Sequence, residues 1–134
     1  MAFGAATAIS VAIARDPALV RTVRLVAAAV ARRTGQDEEF VEEIRLAVGE
    51  ACALMVGADT LEPQEQTGPV TVKMALGDRL KVDVVSEGHV RVADEPLSDI
   101  DGVEPWALLR GLIEDFAIAQ EGSTTRLSMS WPLV

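Results

Sequence analysis

Apolar positions along this chain change period several times, and each change marks an element. Ile9, Val11 and Ile13 alternate with small residues across Ala6 to Ala14, the two-residue period of a half-buried strand. Asp16 and Pro17 then form a helix start, with Asp at the N-cap and Pro at the first helical position, and the helix runs to Thr34 before Gly35 stops it. Asp37 caps a second helix, in which Phe40, Ile44, Ala47, Ala51 and Met55 recur at helical spacing and Gly57 marks the end. Glu38 and Glu39 occupy its first turn, where negative charge suits the helix dipole.

Asp59 to Gly68 reads as a polar connector containing Pro63. Val70 to Leu76 and Arg79 to Val85 predict two strands joined at Gly77-Asp78. Glu87 to Gly102 is irregular and acidic, and Pro105 opens a third helix carrying Trp106, Leu108, Leu109, Leu112 and Ile113. Phe116 to Ala119 and Thr124 to Trp131, separated by Glu121-Gly122-Ser123, predict a closing hairpin. The order is strand, helix, helix, hairpin, helix, hairpin. It defines an α+β class: a two-layer sandwich of a mostly antiparallel five-stranded sheet with three helices on one face.

With 134 residues, the chain is expected to form a single domain with a core of its own. The longest apolar runs, Leu25 to Ala31 and Ala51 to Val56, are far too short to span a bilayer. Met1 to Ser10 has no basic region or cleavage pattern, so a cytoplasmic location is expected. Cys52 is the single cysteine and His89 the single histidine, which leaves no internal disulfide, no cysteine-based zinc site and no His-pair metal site. The net charge of −9 argues against nucleic acid, whose binding needs clustered cations. Arg15, Arg21, Arg24, Arg32 and Arg33 nevertheless crowd the first quarter of an acidic chain. That asymmetry suggests either a protein partner with acidic contact residues or a solvated helix face.

Glu50 is a lone acid inside the apolar stretch Ile44 to Leu54, and on its own it reads as a partly buried carboxylate bonded to the backbone, to Arg45 or to Arg79. Gly49, inside the same helix, costs about 1 kcal/mol relative to Ala, so close packing against another element is expected there. Cys52 reads as a small core residue.

The segment Leu46-Ala47-Val48-Gly49-Glu50-Ala51-Cys52-Ala53-Leu54 resembles the first box of the anti-sigma factor serine kinases, members of the histidine-kinase-type (GHKL) ATPase superfamily. The predicted element order resembles that family's Bergerat-type fold over nearly the whole chain. The resemblance implies that Glu50 is the general base that orients the group attacking the γ-phosphate. The family's Mg²⁺-binding Asn falls at Leu54, one turn later on the same helix face, and Leu offers no oxygen to a hard cation. Ala58 stands where many members have a His. The family's Asp-x-Gly-x-Gly adenine motif corresponds to Ser86-Glu87-Gly88-His89-Val90: Ser86 replaces the Asp, Gly88 survives, and Val90 replaces the second glycine. A shift of one would put Glu87 in the Asp role at the expense of the glycine spacing. For the glycine-rich phosphate loop, Ser98 to Leu109 offers only Gly102. Losing a charge-assisted hydrogen bond removes about 1.5–3 kcal/mol, so a micromolar ATP site stripped of these groups weakens to about millimolar.

The resemblance thus implies a degenerate nucleotide pocket at Ser86, Gly88 and Gly102, with no cofactor required and at most weak ATP and Mg²⁺ binding. It also implies partner contacts through Arg21 and Arg24 on the first helix, and a homodimer. The leading expectation is a partner-switching, anti-sigma-like regulator of transcription that holds a sigma factor or an anti-anti-sigma antagonist. The alternative is an active serine-protein kinase that phosphorylates the antagonist with Mg-ATP.

Overall fold

The computed structural model describes residues 8–56, 66–88, 115–122 and 124–133. Within them lie strands β1 (Ala8–Ile13), β2 (Gln66–Leu76), β3 (Arg79–Gly88), β4 (Asp115–Glu121) and β5 (Thr124–Pro132), and helices α1 (Val20–Arg32) and α2 (Glu38–Val56). The strands form one five-stranded sheet in the order β1-β2-β3-β5-β4, and every neighbouring pair is antiparallel. The two described helices pack together and cover one face. The third helix expected from Pro105 lies outside the described residues, as do Gly102 and His89.

Alternation builds the core. Val70, Val72, Met74 and Leu76 of β2, Leu80, Val82 and Val84 of β3, and Leu127, Met129 and Trp131 of β5 all point to the helices and are buried. Against them lie Val23, Ala27, Val30 and Ala31 of α1 and Ile44, Val48, Ala51 and Met55 of α2. In β1 the inward residues become progressively buried toward Ile13, which pairs with Val70.

Several boundaries differ from the sequence reading. Asp16 does cap, its carboxylate accepting the Ala18 N–H at 2.9 Å, but Pro17–Leu19 is a 3-10 turn and α1 proper begins at Val20. It ends at Arg32, two residues before the expected Thr34, and Gly35 follows in the left-handed region at φ 79. Asp37 caps α2 as expected, its carboxylate accepting the Phe40 N–H at 3.0 Å. β2 begins at Gln66, inside the expected connector: the ladder to β3 shifts between Gln66 and Val70, where Gly68 has φ 77 and Pro69 donates no hydrogen bond. β3 continues past Val85 through Gly88, because Ser86 and Glu87 pair with Thr125 and Thr124 of β5. Glu87 and Gly88 therefore belong to a strand and not to the irregular segment expected from Glu87, and Ser86 lies in the same strand.

Candidate functional site

Glu50 and Leu54 lie one turn apart on α2, both partly buried, and Leu54 packs against the hydrophobic core. Glu43, two turns before Glu50 on the same side, accepts a hydrogen bond from Trp131 Nε1 at 3.1 Å and so ties α2 to β5. Neither arginine considered for Glu50 is directed to it. Arg45 donates from Nε and Nη2 to the Glu42 carboxylate at 2.8, 3.0 and 2.5 Å, and Arg79 bonds Asp115 and, at 2.5 Å, Ser130 Oγ. The Arg45 contact holds the exposed Glu42 carboxyl below its ordinary range.

Ser86 is completely buried, and so, within 1%, is its ladder partner Thr125. Buried hydroxyls require partners. For Ser86 the partner is Arg15, in the turn that follows β1: Nη2 donates to Ser86 Oγ at 2.5 Å. Nη1 of the same guanidinium donates to the carbonyl of Met55 at 2.8 Å and lies 3.5 Å from that of Val56. Those carbonyls are among the orphan acceptors at the α2 C-terminus, where a cation also meets the negative end of the helix dipole. Burial lowers the Arg15 guanidinium from its ordinary value, and it remains a cation. One side chain thereby joins the β1–α1 turn, the end of α2 and β3.

Arg24 and Arg21 differ in setting. Arg21 is exposed. Arg24 turns into the α1–α2 seam and lies across Gly49, where an added Cβ would stand 2.3 Å from its Nε and 2.8 Å from its Cγ. This is the close packing expected of Gly49, and the neighbour is an arginine stem. Cys52 is buried nearby; burial pushes its thiol up to about 11, against a smaller opposing influence of Arg24. An open concavity of about 450 Å³ lies elsewhere, on the sheet face away from the helices, where Lys81, Asp83, Asp115 and Ser128 line it.

The structure thus brings Glu50 and Leu54 together in the last turns of α2 and sets Ser86 at the same C-terminal end of that helix, joined to it by Arg15. Gly88 lies in β3, paired with Gln66. Arg15 and Thr125 were not singled out from sequence. Arg15 looked like one of several cations at the start of a helix, and its partners are 40 and 71 positions away.

An antiparallel five-stranded sheet with paired helices on one face is the arrangement of the histidine-kinase-type ATPase folds. The family model of the histidine kinase-like ATPase domain matches residues 13–131, and the chain belongs to that family. Among solved structures, the chain is similar to the crystal structure of the RsbU and RsbW domains of Rv1364c from Mycobacterium tuberculosis, with a TM-score of 0.70 and 16% identity. The match covers 95% of this chain and 32% of that one, so this chain spans about a third of its length. At that identity the likeness establishes the fold. No curated protein matches the chain. Among the described residues no helix is long and apolar enough to cross a membrane.

Proposed function

We propose that this chain is an anti-sigma-like regulator that uses the kinase fold to hold a sigma factor or its anti-anti-sigma antagonist, with nucleotide binding lost or weak. The observation that carries this reading is the Arg15–Ser86 hydrogen bond at 2.5 Å. In the family a carboxylate at this position accepts a hydrogen bond from the adenine amino group. Here the acceptor is a neutral hydroxyl, buried and already accepting a hydrogen bond from a guanidinium. A neutral acceptor already engaged by a cation stands where the family has a carboxylate.

Leu54 supports the same reading. Its apolar side chain packs on the core at the position where Mg²⁺ would need oxygen. These residues do not fit Mg-ATP. What is left is a surface. Arg21 stands exposed on α1, a helix without a single acid in an acidic chain, and arginine is a frequent anchor for carboxylates on a partner. A cytoplasmic setting and self-association complete the proposal.

Titration with Mg-ATP, followed by tryptophan fluorescence and melting temperature, tests the loss of the site. The expected result is no saturable signal in the micromolar range; a micromolar Kd overturns the reading. For the surface, Arg21→Glu should abolish capture of a sigma factor or antagonist while leaving the melting temperature unchanged. The kinase alternative keeps one supporting observation, the partly exposed Glu50. Phosphate transfer to an antagonist that disappears in Glu50→Ala would establish it.

A further inference from the structure

The C-terminal end of α2 and the buried part of β3 set several acceptors around one cation. The Met55 carbonyl accepts from Arg15 Nη1 at 2.8 Å, the Val56 carbonyl lies 3.5 Å from the same nitrogen, and Ser86 Oγ accepts from Nη2 at 2.5 Å. Met55, Val56 and Ser86 are each at most 1% exposed, and Thr125, beside Ser86 in the β3–β5 ladder, adds a second buried hydroxyl. The two carbonyls stand at the negative end of the α2 dipole, yet α2 has no basic residue in its last turn. Its cation comes from 40 positions earlier in the chain.

Three features of these acceptors select one kind of cation. They belong to two elements, so a single ammonium nitrogen cannot serve both, whereas the two amino groups of a planar fork can. They are desolvated, and a guanidinium gives up water more readily than an ammonium. The three described acceptors are neutral oxygens rather than the carboxylates that favour a hard metal ion, and no group of three or more His, Cys, Asp or Glu stands together among the described residues. Arg15 is only half-buried, so the site lies within one side chain's reach of solvent.

We propose that the end of α2, together with Ser86, is a guanidinium-binding site, and that Arg15 is its resident ligand, in competition with a guanidinium carried by another molecule. The tether favours Arg15, because a connected ligand acts at an effective concentration of about millimolar or more. An outside ligand therefore binds only where Arg15 is absent or displaced. This site rests on the same Arg15–Ser86 contact as the function proposed above, and adds the chemistry that the altered pocket prefers: a planar cation in place of a nucleotide.

Methylguanidinium chloride titrated into Arg15→Ala at constant ionic strength, and read as melting temperature, tests the site. Saturable stabilisation with a Kd of about millimolar is expected for so small a ligand. The wild-type chain, whose site is filled, should show none. Methylurea has the same shape without the charge and should bind about tenfold more weakly. Adding Ser86→Ala to Arg15→Ala should weaken methylguanidinium by about tenfold, and adding Ser86→Asp should strengthen it. A folded Arg15→Ala that responds to neither compound, or equally to both, overturns the proposal, as does a wild-type response equal to that of the variant. If Arg15→Ala fails to fold, Ser86→Asp in the otherwise wild-type chain decides: facing the resident guanidinium it should melt above Ser86→Ala, and melting below it overturns the cation site. L-arginine and N-acetyl-arginine amide, titrated into Arg15→Ala, separate a free small molecule from the side chain of a partner protein, the tighter of the two naming the source. Failure of both where methylguanidinium binds overturns the competition with another molecule. The Mg-ATP titration of the wild-type chain is a separate measurement, so failure of this site and failure of the function proposed above are told apart.

Discussion

Gly49 and Arg24 form a pair whose energetics oppose each other. Ala is a better helix former than Gly by about 1 kcal/mol, but a Cβ at position 49 would collide with Arg24. Gly49→Ala in the wild-type chain should therefore gain little or lose, because the arginine stem must move. In an Arg24→Ala background the same change should stabilise by about 1 kcal/mol. Urea denaturation of the four proteins measures the coupling, and additivity would show that the contact is energetically irrelevant.

Arg15 and Ser86 are a second coupled pair. Ser86→Ala removes a charge-assisted acceptor from a buried site and should cost about 1.5–3 kcal/mol, read as a lower denaturation midpoint. Arg15→Ala should cost at least as much, since the Met55 carbonyl loses its donor too. Cys52 gives the molecule a pH signature. Its thiol titrates near 9.0 when unfolded and near about 11 when buried, so between those values the unfolded state binds fewer protons and stability falls as pH rises. The alkaline slope of the melting temperature should be shallower in Cys52→Ala.

At this scale the legible residues were those whose meaning is local. Glu50 and Leu54 share a helix face by spacing alone, and Gly49 announced a close neighbour because a mid-helix glycine needs a reason. The identity of that neighbour, like the role of Arg15, arises only when elements far apart in sequence meet.

Elements were legible where caps and alternation agreed. Asp37 with Glu38 and Glu39 fixed the start of α2 to the residue. Asp37→Ala should destabilise by about 1 kcal/mol, measured by thermal or chemical unfolding, because the Phe40 N–H loses its acceptor. Boundaries slipped where a local break was absorbed by the sheet. Gly68-Pro69 looked like the end of a connector, yet the ladder passes it with a shift of register. Glu87 and Gly88 looked irregular because of their charge and glycine, yet β2 and β5 supply pairing partners on either side. Strand pairing is a property of neighbours, and no window of one strand contains it.

For the whole molecule, the order of elements was enough to place the chain in a two-layer class, since few arrangements bury one face of an antiparallel sheet with a helical pair. The strand order was not available from that pattern. β1 could have joined either edge, and its place beside β2 follows from the inward residues Val11 and Ile13 meeting Val72 and Val70.

That place has a kinetic consequence. β1 is a sheet edge that zips to β2 only after the chain has travelled out through both helices and back, so its closure carries the largest loop entropy of any described strand pair. The hairpins β2–β3 and β4–β5 close over short turns and need no such search. The final turn of β1 leads straight into Arg15. When the edge peels, the guanidinium is withdrawn from Met55 and Ser86 in the same motion, and the last turn of α2 loosens with it. Edge, helix end and buried serine should therefore open as one unit of hydrogen exchange, at a free energy below that of global unfolding.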